Sequence, residues 1–197
     1  SNGDIFHTED EGETWERQTS PASATLWDVY CLDNNNAIAV GFPGVSLRSG
    51  NFGTIIKTSN AGDTWVSKTS GDSELLDSVN FADSMHGFAV GNAGRYRTEN
   101  GGESWTRQST SSLGSIYCIN AEECFMPSGF YVYTTSDAGV SLENTLLDHW
   151  ADKGVYFADS LRGWIVGQQN IQYTNDGGES WTLPPSDISG AETNLGL

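Results

Sequence analysis

Short stretches of alternating apolar residues recur along this chain. Residues 37–41 read AIAVG, residues 87–91 read GFAVG and residues 163–167 read GWIVG. Successive side chains of a β-strand point to opposite faces, and in these stretches both faces are apolar. The pattern therefore predicts strands that are buried on both sides. One predicted face carries Ile38, Val40, Phe88, Val90, Trp164 and Val166, and the other carries Ala39, Ala89 and Ile165.

A turn motif with the form Thr-x-(Asp/Asn)-x-Gly-x-(Thr/Ser)-Trp recurs about every forty residues. It starts at Thr8, Thr58, Thr98 and Thr174, and a fifth copy from Thr135 has Leu142 in place of Trp. An Asp or Asn oxygen accepts backbone N–H bonds within a tight turn, and the glycine suits a position with positive φ. We expect the tryptophan to pack between neighbouring repeats. The motif residues are Asp10, Gly12, Trp15, Asn60, Gly62, Trp65, Asn100, Gly102, Trp105, Asp137, Gly139, Asp176, Gly178 and Trp181.

Each repeat has room for four short strands: two before the motif, one leading into it and one after it. Four antiparallel strands in about forty residues form one blade of a β-propeller. We predict an all-β protein, a propeller of four-stranded antiparallel blades with about five blade positions, four of them complete, possibly part of a larger ring. Residues 1–197 form one domain in this interpretation. The blades cover about 26–70, 76–110, 114–146 and 153–184, with a partial blade at 1–20 and a tail at 185–197.

The charge of the chain excludes two classes of partner. It has 9 Lys and Arg against 26 Asp and Glu, a formal net charge of −17. Such a surface repels phosphate backbones and anionic lipid headgroups, so nucleic acid is not expected as a partner. The longest apolar stretches fall far short of the roughly 20 residues that a membrane-spanning helix needs. No membrane span is predicted.

Two of the three cysteines fall on neighbouring strands of one repeat. Cys118 and Cys124 align with pairs that join a large residue to a small one, Phe81 with Gly87 and Phe157 with Gly163. Cross-strand neighbours of this kind have Cα separations that a disulfide accepts, so we predict a bridge and an oxidising compartment. The alternative is a pair of buried thiols. Cys31 holds a position where two repeats have Phe, which predicts a core residue rather than a nucleophile.

The turn motif resembles the Asp-box, or BNR, repeat. Together with FADSMHGFAVG at 81–91 and FADSLRGWIVG at 157–167, it resembles the photosystem II stability/assembly factor-like family of propellers. That family implies a chaperone-like protein binder on the lumenal side of thylakoids, with related repeats in secreted bacterial proteins. Sialidase, xyloglucanase and sortilin-type propellers are more distantly similar. That family also implies a seven-bladed ring and an arginine-rich binding patch, and this chain departs from both features. Its six arginines are scattered along the sequence.

The sequence offers no recognisable catalytic set. A sialidase-like site needs three converging arginines, and no such triad can be assembled from the positions of the arginines here. His7, His86 and His149 fall on different connections, so neither a metal site nor an oriented general base is visible. Asn replaces Asp at two of the five turns, which disfavours a calcium site. We therefore predict a non-enzyme without metal or cofactor.

Loops at one end of the ring carry the candidate binding residues. The connection at 42–52 is about ten residues longer than its counterparts and contributes Phe42, Arg48 and Phe52, while Trp27 and Trp150 belong to other connections at this end. The alternative is that the two tryptophans cap the core. The predicted function is a non-catalytic extracytoplasmic scaffold (secreted, periplasmic, cell-surface or in the thylakoid lumen) that binds a protein partner. Alternatives are a carbohydrate-binding or glycosidase-derived propeller, for which a glycan would be the partner, and a photosystem II assembly factor-like chaperone.

Overall fold

The strands predicted from the repeats are present, and they follow one another in a regular antiparallel order. The computed structural model describes residues 3–21, 25–42, 54–68, 75–92 and 94–184. Within these ranges there are seventeen strands and no helix. The strands are β1 (Ile5–His7), β2 (Glu16–Gln18), β3 (Thr25–Cys31), β4 (Ala37–Phe42), β5 (Thr54–Thr58), β6 (Val66–Ser67), β7 (Ser78–Phe81), β8 (Gly87–Gly91), β9 (Gly94–Thr98), β10 (Thr106–Ser109), β11 (Tyr117–Cys118), β12 (Cys124–Ser128), β13 (Tyr131–Thr135), β14 (Glu143–Leu146), β15 (Gly154–Phe157), β16 (Gly163–Val166) and β17 (Ile171–Thr174).

The sheets form a four-bladed β-propeller, which confirms the predicted fold class. Blade 1 is β3–β6, blade 2 is β7–β10 and blade 3 is β11–β14. Blade 4 is β15–β17, and a bridge between Tyr173 and Thr182 takes the place of a fourth strand. Before blade 1, strands β1 and β2 form a two-stranded partial blade. The first strands of successive blades, β3, β7, β11 and β15, contact one another in that order and therefore form the inner row.

The five repeated turns share one hydrogen-bond pattern. At the third turn, the Gly102 N–H donates to Thr98 Oγ1 at 2.9 Å and the Ser104 N–H donates to Asn100 Oδ1 at 3.0 Å. The same bonds recur in the other four turns, with either Asp or Asn as acceptor. A carboxylate charge is therefore not needed for the turn. The motif glycines have positive φ as expected, and the residue before each of them does too, which the sequence pattern did not predict.

The motif glycines also form the contact between blades. A Cβ atom at Gly102 would lie 3.1 Å from Ile38 of blade 1, and one at Gly139 would lie 2.7 Å from the Phe88 ring of blade 2. A Cβ atom at Gly178 would overlap the Phe125 ring of blade 3 in the same way. Each of these three glycines thus meets a large residue on the second strand of the preceding blade. These positions need glycine for its size as well as for its backbone conformation.

Three side chains are exposed where the repeat pattern predicts burial. Trp65, Trp105 and Trp181 are buried between blades, but Trp15 is 59% exposed, because the described residues include no blade before it. Trp164 is exposed because no described blade follows blade 4 and covers its outer face. Cys31 is a free, exposed thiol and not a core residue. Its counterpart Phe81 is covered by blade 1, whereas the partial blade has no described strand beside Cys31.

The cysteines of blade 3 form a disulfide between β11 and β12. Cys118 and Cys124 lie directly opposite each other, with their Cα atoms 4.0 Å apart. The aligned pairs have the same register, Phe81 opposite Gly87 and Phe157 opposite Gly163. A Cβ atom at Gly87 would lie 2.6 Å from the Phe81 ring. The small partner therefore makes room for the large one, and in blade 3 two cysteines fill the same space.

Charged groups cross the joint between blades 1 and 2. Glu103 accepts hydrogen bonds from the Nζ atoms of Lys57 and Lys68, both at 2.7 Å, which lower its pKa to about 2. Lys68 is thus part of an ion-paired group that joins the two blades. Between blades 2 and 3, the buried Arg95 donates to the Gly139 carbonyl at 2.7 Å, and burial lowers its pKa.

Replacing Gly87 by alanine tests the packing of large against small side chains. We expect Gly87→Ala to lower the free energy of unfolding by about 1–3 kcal/mol, because the added methyl group overlaps a buried aromatic ring. Urea denaturation measures this change. Gly154→Ala is the matched control, because its Cβ atom would lie 3.2 Å from one rotatable methyl group of Val166 and should cost less than about 1 kcal/mol. Equal effects of the two substitutions would contradict this account of the pairing.

The repeated turns predict how stability responds to acid. The Ser141 hydroxyl, with further hydrogen bonds, lowers the pKa of Asp137 from 3.8 to about 2, and the Ser180 hydroxyl does the same for Asp176. A pKa that is lower in the folded state adds stability above about pH 4, and this stability is lost as the pH falls toward 2. The double variant Asp137→Asn/Asp176→Asn should fold at pH 7 and lose less stability between pH 7 and pH 3 than the natural chain. Urea midpoints across that range measure the difference. Asn60→Asp should have the opposite effect, and parallel pH profiles for all three proteins would refute the prediction.

Candidate binding groove

A groove of about 1100 Å³ lies between the partial blade and blade 1. Strand β1 forms one wall and strand β3 forms the floor, with Ile5 and Phe6 on the wall and Trp27, Val29 and Cys31 on the floor. We call it the β1–β3 groove. In a complete blade this space would hold the first two strands, because β1 and β2 correspond to the third and fourth strands of blades 1 to 3.

Strand β1 presents an unpaired backbone edge to the groove. Its counterpart in blade 1, β5, pairs with β4 on one side and β6 on the other, whereas β1 pairs only with β2 in the described part of the chain. In blades 1 and 4, the residues that correspond to Ile5 and His7 bond to the outer side: the Lys68 N–H donates to the Ile55 carbonyl, and Tyr173 exchanges two bonds with Thr182. Because antiparallel strands alternate their bonding direction, the N–H and C=O of Phe6 point into the groove.

The floor of the groove is apolar, and no residue in the described part of the chain covers it. Val29 is 55% exposed, whereas its counterpart Val79 in blade 2 is 3% exposed under blade 1. Trp27 is half exposed, and its ring centroid lies 6.5 Å from that of Phe42. Apolar side chains in one contiguous concave surface are typical of a binding site rather than of a solvated face.

The turn end of the groove has a preformed hydrogen-bond donor. In each of the four blades, the residue before the motif glycine donates its N–H to the carbonyl at the tip of the turn between the first two strands, as Ala61 does to Asn35 at 3.0 Å and Gly101 to Met85 at 2.9 Å. Glu11 holds this position in the partial blade with the same positive φ of 60°. Its N–H has no acceptor among the described residues. No described residue supplies the carbonyl that this donor meets in the other blades.

The charge around the groove is negative. Its lining includes Asp4, Glu9, Glu11, Asp28 and Asp33, and no Lys or Arg lines it within the described ranges. Backbone N–H bonds from Asn35 and Asn36 and a side-chain bond from Asn36 lower the pKa of Asp33, so this carboxylate is charged at neutral pH. Asp4 is paired with Arg17, and Asp28 accepts bonds from Ser78 and Val79. Glu9 and Glu11 remain at the rim near the vacant turn position.

The candidate aromatic residues that the structure describes lie in two separate pairs. Trp27 lies on strand β3 and not on a connection, and it pairs with Phe42. Trp150 packs edge-on against Phe130, with centroids 5.4 Å apart. Both tryptophans are about half exposed, so neither acts only as a cap on the core. The sequence analysis missed Phe130, although Gly129 before it marks a turn. Arg48 and Phe52 lie outside the described residues.

The described part of the chain contains no cluster of metal ligands, and its arginines do not converge. No three His, Cys, Asp or Glu side chains there are placed to hold a metal ion. The arginines are engaged separately: Arg17 with Asp4, Arg97 with Glu99, and Arg162 with Asp159. No described helix exists that could cross a membrane.

Comparison with known proteins finds similarity in fold. By sequence, no protein-family model and no curated protein matches the chain. The structure is similar to that of YCF48 bound to D1 peptide, with a TM-score of 0.65 and 20% identity over 89% of this chain and 57% of that one. It is similar to YCF48 from Cyanidioschyzon merolae, with a TM-score of 0.64 and 16% identity over 91% and 65%. It also matches the GH74 xyloglucanase from Xanthomonas campestris, with a TM-score of 0.66 and 11% identity over 95% and 35%. These identities show a shared propeller fold, and this chain spans about three fifths of the length of the two YCF48 chains.

Thiol labelling tests whether the β1–β3 groove is open in solution. Cys31 lines the groove and is exposed, so we expect a maleimide to modify one thiol per native chain. Mass spectrometry counts the labels. Denaturation without a reductant should still give one label, and reduction of the Cys118–Cys124 disulfide should give three. A native chain that resists labelling would mean that the groove is covered.

Proposed function

We propose that this chain is a non-catalytic propeller that binds a polypeptide partner in the β1–β3 groove. The observation that carries the proposal is the combination, in one groove, of an apolar floor with a strand edge that has no partner among the described residues. A peptide can use both features at once, because its backbone pairs with the edge and its side chains cover the floor. The similarity in fold to YCF48 bound to D1 peptide supports a peptide as the ligand by analogy.

We place this function outside the cytoplasm. The Cys118–Cys124 disulfide supports that location, because such bonds persist in oxidising compartments. The disulfide is equally compatible with a secreted, periplasmic, cell-surface or thylakoid-lumenal protein. A chaperone-like role similar to that of photosystem II assembly factors is the finer form of the proposal, and it requires the partner to be a photosystem subunit.

Carbohydrate binding is the second candidate function. The half-exposed pairs Trp27–Phe42 and Phe130–Trp150 present aromatic rings of the kind that pack against sugars. The shared fold with a GH74 xyloglucanase gives this candidate a structural precedent. Carbohydrate binding does not account for the backbone edge of β1 or for the N–H of Glu11, which have no partner among the described residues, and for that reason we favour a polypeptide.

Parallel ligand screens separate the two candidates. A random peptide library and a glycan array with xyloglucan and sialylated oligosaccharides are each applied to the purified chain. We expect peptides to be selected and their affinity to fall at least tenfold in Val29→Asp, which puts a charge on the groove floor. Val140→Asp is the matched control, because Val140 is exposed on a turn outside the groove and its replacement should leave binding unchanged. Selection of glycans alone, or peptide binding that ignores Val29→Asp, would overturn the proposal.

A further inference from the structure

We infer that Asn100 is a modification site, at which the folded turn of blade 2 suppresses deamidation and the opening of that turn permits it. This inference goes beyond the proposed function, and Asn100 does not line the β1–β3 groove. Asn100 is exposed and is followed by Gly101 in the third turn motif. An asparagine before a glycine readily loses its side-chain amide, because glycine has no Cβ atom to hinder attack by its own nitrogen. The other Asn-Gly pair of the chain begins at Asn2, outside the described residues.

The reaction needs only this dipeptide and water. The deprotonated backbone nitrogen of Gly101 attacks Cγ of Asn100, a C–N bond forms, and the side-chain nitrogen leaves as ammonia. Water then opens the resulting succinimide ring at one of its two carbonyl carbons. Opening at Cγ gives aspartate, and opening at the main-chain carbonyl carbon gives isoaspartate, in which the backbone runs through the side chain. The net change is the addition of one water molecule and the loss of one ammonia.

Hydrogen bonds keep the two reacting groups apart in the folded turn. The buried Gly101 donates its N–H to the Met85 carbonyl at 2.9 Å. Asn100 Oδ1 accepts from Thr98 Oγ1 at 2.9 Å and from the Ser104 N–H at 3.0 Å, and Asn100 Nδ2 donates to Ser104 Oγ at 2.9 Å. The side chain is therefore held by Ser104, whereas the nitrogen that it would react with is bonded to Met85. Attack requires these bonds to break, so the reaction proceeds from the open turn.

The corresponding turn of blade 1 has the same bonds but a different residue after the asparagine. The Asn60 side chain and the Ala61 N–H make the equivalent hydrogen bonds, and Ala61 carries a Cβ atom. In blade 2, a Cβ atom at Gly101 would lie 2.9 Å from the Ser84 carbonyl oxygen, so glycine suits the close approach of the two turns. Close packing within blade 2 thus retains the labile pair, and the Asn60–Ala61 pair is an internal control.

The two products should affect the joint between blades 1 and 2 differently. Aspartate fits the turn, because Asp10 accepts the same bond from the Thr14 N–H at 2.8 Å. Asp10 also has a glutamate one residue before it and another three residues after it, as Asn100 does. Isoaspartate instead lengthens the backbone by one methylene group just before Gly102, whose contact with Ile38 closes this joint. Isoaspartate should therefore loosen the joint, whereas aspartate should not.

Tryptic mapping of the full chain follows Asn100 and Asn60 in parallel. Cleavage at the flanking Lys and Arg residues gives the peptides 98–107 and 58–68, each with one of the two asparagines. The chain is incubated at neutral pH either folded or in urea, and chromatography with mass spectrometry separates the asparagine, aspartate and isoaspartate forms. In urea, we expect Asn100 to convert at least tenfold faster than Asn60. In the folded chain, Asn100 should convert at least tenfold more slowly than in urea.

Paired variants separate the effect of the dipeptide from the effect of the turn. Ala61→Gly should make Asn60 convert in urea as fast as Asn100, because it creates the same dipeptide. Thr98→Val removes the hydroxyl that bonds Asn100 and the motif glycine, so it should raise conversion of Asn100 in the folded chain at least threefold. Thr58→Val is the matched control, because it removes the same bonds in blade 1 and should leave Asn60, which precedes alanine, unchanged.

The variant Asn100→Asp is the reference for the consequence of conversion. Anion exchange isolates refolded converted chains, because conversion adds one negative charge. Chains with isoaspartate should unfold at a lower urea concentration than Asn100→Asp, which should unfold near the midpoint of the natural chain.

Three outcomes would contradict the inference. Equal conversion of Asn100 in the folded chain and in urea would mean that the turn gives no protection, and equal conversion of Asn100 and Asn60 in urea would mean that glycine is not the cause. Neither comparison depends on a variant that must fold. Equal urea midpoints for the isoaspartate and aspartate forms would refute the effect on the joint. The proposed function is tested separately by the ligand screens and does not depend on any of these results.

Discussion

The contact between a motif glycine and a large side chain of the preceding blade is the constraint on which this structure depends. The Thr hydroxyl and the Asp or Asn oxygen of the motif hold two successive residues at positive φ. This conformation brings Gly139 against the ring of Phe88 and Gly178 against that of Phe125. A blade with two apolar faces is not stable alone, so the local geometry of a surface turn decides how the core is assembled.

A hydrogen bond between neighbouring blades accompanies the glycine contact at each joint between blades 1 to 4. The Tyr30 hydroxyl donates to the Phe81 carbonyl, the Cys118 N–H donates to the Asn80 side chain, and the Tyr117 hydroxyl donates to the Phe157 carbonyl. The donor or acceptor side chain occupies one position on the first strand of its blade, and it always reaches the following blade. Tyr156 holds this position in blade 4 and is largely exposed. The joints are thus alike in both their apolar and their polar contacts, which explains why nearest-neighbour packing suffices for the fold.

The sequence was sufficient to predict the blade and its turn, because each depends on residues within one repeat. The disulfide followed from the pairing of large and small residues at Phe81 and Gly87, which is also local. The exposure of Trp15, Cys31 and Trp164 could not be predicted in this way. A repeat shows which positions are alike, but burial of these side chains depends on whether a neighbouring blade is present. The pairing of Trp150 with Phe130 joins two connections that are distant in the sequence, and no periodicity relates them.

The acidic surface and the free edge of β1 act at different distances, and together they restrict what can bind. The charge of −17 acts over about 8–10 Å at physiological salt, so it repels other acidic chains and attracts basic ones before contact. Backbone pairing to Phe6 acts only at contact and does not distinguish one extended chain from another. Charge therefore acts on the approach of another chain, whereas backbone pairing acts only once the two chains are in contact. An exposed apolar floor would favour self-association on a neutral protein, and on this one the net charge opposes it.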